Sequence, residues 1–447
     1  MASNSKSLAT KAAANPRFGS FSKSKDLQNR ILFIIGALIV FRIGTYIPLP
    51  GVDATALSSL NSQGGLIAMF NMFSGGALGR MTIFSLNVFP YITASIIMQL
   101  MTLVSKNLEQ MKKEGGESGK RLINQYTRYL TILIAGMQGM ALAFLLERMP
   151  GAVENPGFVF RIVTVVTIIG GVLFLVWLGD QMGSRGIGNG MSIIIAAGII
   201  AEMPQNIILM FESSRKGSLD EFLLVGILLA IVALTLFIIV MERAQRRIVI
   251  QYPKRQVGNK LFQGDTTHMP LKLNTSGVIP AIFASALLGF PITLTAFSGN
   301  TESEVLQWIQ LYLGHGRPLY IALYAFLIIF FSFFYTAVVF NPTDTANNLK
   351  KNGGFIPGIR PGENTAQHLD FILTRLTVIG AIYLTVVCAV PELFYGQVSV
   401  PFYIGGTSLL IVINVVMDTM MQIQTHLISH QYEGLIRKMN SRGKKRK

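Results

Sequence analysis

The sequence predicts an all-α protein that crosses a membrane ten times. Its 447 residues are 51% hydrophobic and only 13% charged, and the mean hydropathy is +0.50, whereas about a quarter of the residues in a soluble domain are charged. Apolar runs of about 20 residues, the length that a helix needs to cross a bilayer, recur along almost the whole chain. One integral membrane domain is therefore predicted, rather than two or three soluble domains.

The predicted spans divide the chain into two halves of five. Residues 1–26 are a polar, basic segment that leads into a full-length apolar run, which indicates a retained first span rather than a cleaved signal peptide. An N-terminal half, 27–209, and a C-terminal half, 210–423, precede a basic tail, 424–447. An odd number of spans inverts the second half relative to the first, and such repeats place a pathway between the halves. The spans are 27–47, 82–104, 122–146, 158–179, 188–209, 221–241, 275–297, 318–340, 371–391 and 402–423.

The orientation follows from the distribution of Lys and Arg. Cytoplasmic loops of membrane proteins collect these residues, and most of the 38 in this chain lie in the first segment, the tail and alternate loops. Both termini are therefore predicted to be cytoplasmic, which requires an even number of spans. The net charge of +16 is explained by topology. The opposite face holds far fewer basic residues, among them Arg148, Arg161, Arg215, Lys216 and Arg317.

Two of the cytoplasmic loops, 242–274 and 341–370, are long and basic. The run Arg247–Tyr252 in the first loop alternates apolar and polar residues, as a strand does, and glycines and prolines punctuate the second loop. One interpretation is an ordinary pair of positive loops. The other is a docking surface for an acidic or nucleic-acid-rich partner.

The chain lacks the residues that catalysis or ion coupling requires. The predicted span interiors hold almost no ionisable residues, and no chain of carboxylates crosses the bilayer, which disfavours a proton-coupled carrier. The segment Gly115–Arg121 superficially resembles a phosphate-binding loop but has no Ser or Thr after Lys120. The single cysteine, Cys388, excludes a disulfide framework, and the 5 His residues lack metal-ligand spacing. No enzyme activity, cofactor or metal is predicted.

Several long motifs occur in a characteristic order. Arg185–Gly198 reads RGIGNGMSIIIAAG and Asn87–Gln99 reads NVFPYITASIIMQ. The two basic loops contain QRRIVIQYPKR from Gln245 and GFIPGIRPGE from Gly354. From about residue 20 to the end, this collinear set closely resembles the SecY family, the channel subunits of the bacterial protein translocase. The resemblance implies a multi-pass protein of the bacterial inner membrane that conducts unfolded secretory polypeptides and releases hydrophobic segments sideways into lipid.

The resemblance also implies a pore ring and a plug. A ring of aliphatic side chains surrounds the translocating chain without offering ions any ligands, and it resists leakage by dewetting. The plug would be a short helix near 64–76, bracketed by glycines that suit a displaceable element, and its residues would include Leu66, Phe70 and Phe73. The ring residues would be Val88, Ile92, Met191, Ile195, Ile282 and Ile411.

Spans two and seven resemble the two sides of the family's lateral gate, which opens toward lipid for signal sequences. Thr93 and Gln99 on one side, and Asn274 and Thr275 on the other, would form hydrogen bonds across it. Polar side chains join membrane helices with only about 1 kcal/mol, so such a seam opens when a signal helix binds. Simple structural adhesion between helices is an equally open interpretation.

The resemblance further implies partners. Arg255 and Arg360 in the basic loops would contact the SecA motor ATPase or the ribosome, and SecE-like and SecG-like small membrane subunits would bind the channel. Direction would come from those partners, since the chain has no energy-coupling chemistry of its own. Two alternatives remain open at this point: a secondary solute carrier, which needs a polar midplane site, and an insertase without a pore, which leaves the predicted plug unexplained.

Overall fold

The computed structural model describes residues 25–53, 71, 74–148, 151–217, 220–253, 255–257, 260–262, 266–298, 317–397 and 405–444. This part of the chain is mostly helical. The helices before the strands are α1 Lys25–Gly44, α2 Phe89–Val104, α3 Lys106–Glu114, α4 Gly116–Glu147, α5 Phe158–Arg185, α6 Gly190–Arg215 and α7 Glu221–Arg243. After the strands come α8 Ile279–Ser298, α9 Pro318–Val339, α10 Pro342–Lys351, α11 Glu363–Gln397 and α12 Gly406–Lys444.

Eight of these segments are long and apolar enough to cross a membrane. The predicted second and seventh spans correspond to the shorter apolar helices α2 and α8. The structure therefore confirms a mostly helical, multi-pass architecture, while the count of ten spans stays a prediction. Long apolar helices satisfy every internal backbone hydrogen bond themselves, which is what a segment surrounded by lipid requires.

The second predicted span, 82–104, began too early. Residues 74–88 form a series of turns, in which Met81 and Asn87 have positive φ angles of 44° and 48°. Helix α2 begins only at Phe89, and Pro90 occupies its first turn, where the missing N–H costs no hydrogen bond. Hydropathy alone did not reveal this boundary, because the turn residues are as apolar as the helix.

The first long basic loop folds into strands. Strand β1 Gln245–Gln251 pairs antiparallel with β4 Thr266–Lys272, and β2 Arg255–Val257 pairs with β3 Lys260–Phe262. Ile248 and Leu271 are buried in a hydrophobic cluster with Leu369 and Leu373 of α11. This confirms the strand pattern read at Arg247–Tyr252.

A backbone pair joins this hairpin to the second basic loop. The Gln251 N–H donates to the Phe355 carbonyl at 2.9 Å, and the Phe355 N–H donates to the Gln251 carbonyl at 3.0 Å. Helix α10 lies within the second loop and is capped by Asn341, whose side chain accepts from the N–H groups of Thr343 and Asp344. Main-chain hydrogen bonds therefore connect the described parts of the two predicted loops.

The chain divides into two compact units. One unit contains the described residues up to Pro204 together with those from Val415 onward, and the other contains the described residues of Gln205–Asn414. In the first unit α4 packs against α2 and α5, and α1 packs against α5. In the second, α9 packs against α8 and α11, and α10 packs against α11. The boundaries of the two predicted halves stay a prediction.

The start of α2 is positioned by Phe84. Its ring stacks on Phe41 of α1 at 6.3 Å and on Phe174 of α5 at 5.9 Å. A Cβ on Gly44 would overlap the Phe84 ring, and a Cβ on Gly171 would overlap the Ile83 carbonyl. Glycine at both positions therefore lets the turn before α2 lie directly against two helices.

Gly171→Ala is expected to lower the free energy of unfolding by about 1–3 kcal/mol, because the new methyl group overpacks this contact. The neighbouring glycine is a matched control, since a Cβ on Gly170 meets nothing within 4 Å. Thermal unfolding of the two purified variants measures the difference. Equal melting temperatures for Gly171→Ala, Gly170→Ala and the wild type would show that the contact is not tight.

Candidate functional site

The predicted ring residues of the second span lie at the start of α2. Val88 is the residue before the helix and is fully buried, and Ile92 lies one turn later and is half-buried. The Ile92 N–H donates to the Val88 carbonyl at 3.0 Å, so the two side chains share one helix face. The turns that end at Asn87 therefore fix where this aliphatic face begins.

Met191 and Ile195 occupy the equivalent place on α6, and both are buried. The Asn189 side chain accepts a hydrogen bond from the Met191 N–H at 3.1 Å and caps this helix. The preceding loop is held from two directions, since Arg30 donates to the Gly186 carbonyl and the Gly188 N–H donates to Gln422 Oε1 at 2.7 Å. The RGIGNG motif thus sets the position of the two ring residues.

Close backbone packing supports the same helix start. A Cβ on Gly190 would overlap the Gly179 carbonyl of α5, and a Cβ on Gly179 would meet the side chain of Met191. Helices α5 and α6 therefore approach each other more closely than any larger residue allows. This contact gives Gly190, the last glycine of the motif, a structural role in the close approach of the two helices.

Ile282 and Ile411 lie in the second unit. Ile282 is half-buried in the first turn of α8, and Ile411 is buried in the second turn of α12. A Cβ on Gly406 would overlap the Val387 carbonyl, so α12 starts directly against the backbone of α11. Four of the six ring residues belong to one unit and two to the other, and the complete ring stays a prediction.

Among the predicted gate residues, the two threonines donate to main-chain carbonyls of their own segments. The Thr93 hydroxyl donates to the Phe89 carbonyl, and the Thr275 hydroxyl donates to the Lys272 carbonyl, both at 3.1 Å. Gln99 is exposed. The Asn274 side chain is buried and donates to Glu242 Oε1 at 2.7 Å and to the Gly277 carbonyl at 3.1 Å. Asn274 therefore connects the end of α7 to the start of α8.

Asn274→Ala is expected to destabilise the protein by about 1.5–3 kcal/mol, the range for a hydrogen bond to a charged group. Glu242 is itself buried, so losing this donor is costly. Thr275→Ala is the neighbouring control, because the Thr275 hydroxyl donates to a main-chain carbonyl three residues earlier rather than to a buried carboxylate. Melting temperatures that fall equally for both variants would contradict a special role for Asn274.

The structure describes only some of the remaining predicted site residues. Leu66, Phe70 and Phe73 of the predicted plug lie outside the described residues. Arg255 begins strand β2, and its side chain also lies outside the described part. Arg360 is exposed on a turn between Gly358 and Gly362, whose φ angles are 82° and 111°. An exposed guanidinium on an ordered turn suits docking.

Sequence reasoning missed a buried carboxylate. Glu202 lies within α6 and is only 7% exposed, and its Oε1 lies 3.7 Å from Nη2 of Arg80. The sequence did contain a signal for this residue, because Glu202 falls inside a predicted span, and an ionisable residue within a span marks a candidate functional site. Its partner was not readable, since Arg80 lies more than a hundred residues earlier in the chain.

Comparison with known proteins decides the family. A sequence profile of the SecY family matches residues 82–420. The chain belongs to the SecY family. The protein translocase subunit SecY of Rickettsia typhi is 56% identical over 428 residues, which cover 94% of this chain and 98% of the relative. SecY of Escherichia coli K12 is 53% identical over 424 residues, which cover 94% and 96%.

Solved structures of protein-conducting channels share the fold. A structure described as that of a protein conducting channel has a TM-score of 0.62 at 18% identity, and Sec61 in the canine ribosome-channel complex has 0.59 at 17%. Each comparison covers 89% of this chain and 91% of the other. At such identities the likeness shows the fold alone. With the close relatives, it confirms the predicted SecY membership and the predicted function of a multi-pass, protein-conducting channel.

Proposed function

We propose that this SecY-family channel carries unfolded secretory polypeptides through a ring formed by the six predicted aliphatic positions. The observation that carries the proposal is the setting of Met191 and Ile195, which are buried side by side on a helix whose start is fixed by a cap and a glycine contact. Side chains without polar atoms fit around an extended chain and offer ions no ligands.

The solute-carrier alternative needs a polar site at the matched positions. Those positions hold Val, Ile and Met, and SecY membership also disfavours it. The insertase alternative leaves the predicted plug, 64–76, without a role. The chain is proposed to be passive rather than an enzyme, with direction supplied by SecA hydrolysing ATP or by ribosomal synthesis.

The partners follow from the same proposal. SecA or the ribosome docks on the basic loops through Arg255 and Arg360, and the ordered hairpin that joins these loops supports a docking surface. Sec61, which has a similar fold, is described in a canine ribosome-channel complex. SecE-like and SecG-like subunits bind the channel in the bacterial inner membrane, with both termini cytoplasmic. Signal sequences and membrane lipid meet at a lateral gate that includes Thr93, Gln99, Asn274 and Thr275.

Reconstitution tests this function directly. The chain is purified with its small subunits, incorporated into proteoliposomes and supplied with SecA, ATP and a secretory polypeptide. Protease-protected polypeptide that depends on both the channel and an intact signal sequence is the expected result. Proteoliposomes that take up a small solute in exchange for protons, yet protect no polypeptide, would contradict the proposal and support a carrier.

A further inference from the structure

Glu242 is a buried carboxylate at the point where α7 ends and the hairpin of β1 and β4 begins. It is the penultimate residue of α7, and it is only 6% exposed. A buried ionised group needs partners, because burial removes its charge from water without compensation. An ionisable residue in a membrane-spanning segment also marks a candidate functional site. The groups that surround Glu242 therefore indicate its role.

The partners of Glu242 come from the segment that leads into α8 and from α11. The Asn274 amide donates to Glu242 Oε1 at 2.7 Å, and the Ser276 hydroxyl donates to Asn274 Oδ1 at 3.0 Å. Tyr383 of α11 is buried and interacts with the Glu242 carboxylate. Its ring also meets the Phe237 ring of α7 edge-on, with 5.7 Å between the centroids. The Glu242 network, formed by Glu242, Asn274, Ser276 and Tyr383, thus joins α7 and α11 to the start of α8.

The same network lies at the base of the hairpin. The Leu273 N–H donates to the Ala244 carbonyl at 2.9 Å, and this bond closes the hairpin between Glu242 and Asn274. A Cβ on Gly380 of α11 would lie 3.1 Å from the Leu273 carbonyl oxygen and 3.5 Å from the Cα of Asn274. The base of the hairpin therefore lies directly against α11, beside the buried carboxylate.

The network also fixes the first turn of α8. Asn274 Nδ2 donates to the carbonyl of Gly277, whose φ angle of 63° lies in the region that glycine adopts without strain, and this bond is 3.1 Å long. The next carbonyl, that of Val278, accepts from the Ile282 N–H at 3.3 Å. Ile282 is one of the proposed ring residues. A displacement of Asn274 therefore reaches the ring through a single helical turn.

We propose that Glu242 is a positioning residue that holds the start of α8 on α11 and thereby sets where Ile282 lies in the pore ring. This inference rests on the proposed channel function. The charge of the carboxylate makes its bond to Asn274 stronger than a bond between two neutral groups. A force on the hairpin reaches Ile282 through the same bonds, because Glu242 and Asn274 flank the hairpin base. Glu242 therefore acts through Asn274, without contact with the translocating chain.

An exchange of the two polar groups tests the pairing. Asn274→Asp places two carboxylates against each other, whereas Asn274→Asp/Glu242→Gln restores an amide that donates to a carboxylate. We expect Asn274→Asp to raise the export of a polypeptide with a defective signal sequence about fivefold or more, and the double variant to return it to within about twofold of the wild type. Asn107→Asp is the matched control, because Asn107 is exposed on α3 and the chemical change is identical.

Thiol labelling reports the position of the ring residue without requiring export. Ile282→Cys introduces a thiol at a half-buried position, and the native Cys388 is buried. In purified, folded channel, we expect Asn274→Asp to raise the labelling rate of the introduced thiol about fivefold or more, and the double variant to reverse most of this increase. A network that serves stability alone would lower the melting temperature and leave the labelling rate of the folded protein unchanged.

The two readouts separate the possible outcomes. An unchanged labelling rate in folded Asn274→Asp would overturn the positioning role, and a double variant as defective as Asn274→Asp would overturn the pairing. If Asn274→Asp yields too little folded protein, Glu242→Gln decides, because its amide oxygen still accepts from Asn274 but without the charge. We expect it to raise the labelling rate about twofold, and a wild-type rate would overturn the inference. Failure of the wild-type channel to export would instead reject the proposed function.

Discussion

Ile195→Asn is expected to raise the export of polypeptides with defective signal sequences about tenfold, which corresponds to about 1.4 kcal/mol in the equilibrium between closed and open channels. Ile195 is only 7% exposed and follows Met191 on the same face of α6. A polar amide in an aliphatic ring attracts water and removes the apolar contacts that hold the ring closed. Signal-sequence stringency therefore falls.

The matched control lies on the same helix. Ile200 is 46% exposed, so Ile200→Asn introduces the same amide away from the proposed ring. The measurement compares export of one reporter with an intact and with a defective signal sequence in both variants, at equal amounts of channel. Equal stringency for Ile195→Asn and Ile200→Asn would contradict the assignment of Ile195 to the ring.

Arg360→Glu is expected to lower motor-driven export by about tenfold or more, since an exposed arginine that a bound partner covers often contributes several kcal/mol to an interface. Its side chain is exposed, while its carbonyl accepts from the Thr365 hydroxyl at 3.0 Å and keeps the turn in place. Charge reversal therefore changes the docking surface and leaves the fold intact. The measurement is SecA-dependent transport in vesicles, alongside the melting temperature.

Lys351→Glu provides the control for this second variant. Lys351 ends α10 in the same basic loop and is also exposed, so the change in net charge is identical. A general loss of positive charge would affect both variants alike, whereas a specific contact affects Arg360→Glu alone. Full SecA-dependent transport by Arg360→Glu would remove this arginine from the proposed interface.

The helices that composition alone defines were predicted well. The predicted spans 158–179, 221–241 and 318–340 correspond to α5, α7 and α9, whose starts match to the residue. These helices are apolar over a full bilayer width, and window hydropathy measures that property. Helix α10 was treated as loop, although Asn341 and Pro342 are a readable cap and first-turn signal.

Features that depend on tertiary packing were not predictable. The late start of α2 depends on Phe84, which enters between α1 and α5 because Gly44 and Gly171 leave room for it. The pairing of Asn274 with Glu242 depends on the β-hairpin that returns the chain from the end of α7 to the start of α8. Neither contact leaves a periodic pattern in the sequence.

The sequence predicted the ring positions of the candidate site but not the contacts that support them. The ring positions came from family motifs, because aliphatic residues four apart indicate ordinary packing when spacing alone is considered. Their rigid supports, such as the Asn189 cap and the Gly179–Gly190 contact, became visible only in three dimensions. The charged cluster around Glu202 was missed because one carboxylate barely lowers the mean hydropathy of a span.

Site-specific photocrosslinking tests the central claim most directly. A photoreactive residue is placed at Ile92, Ile195, Ile282 or Ile411, and a secretory chain is stalled midway across the membrane. Val166 on α5 and Ile382 on α11 serve as controls, because they are 63% and 57% exposed. Crosslinks from all four ring positions, and none from the controls, are the predicted result. If none of the four positions forms a crosslink while export proceeds, the result would contradict a pore at these residues.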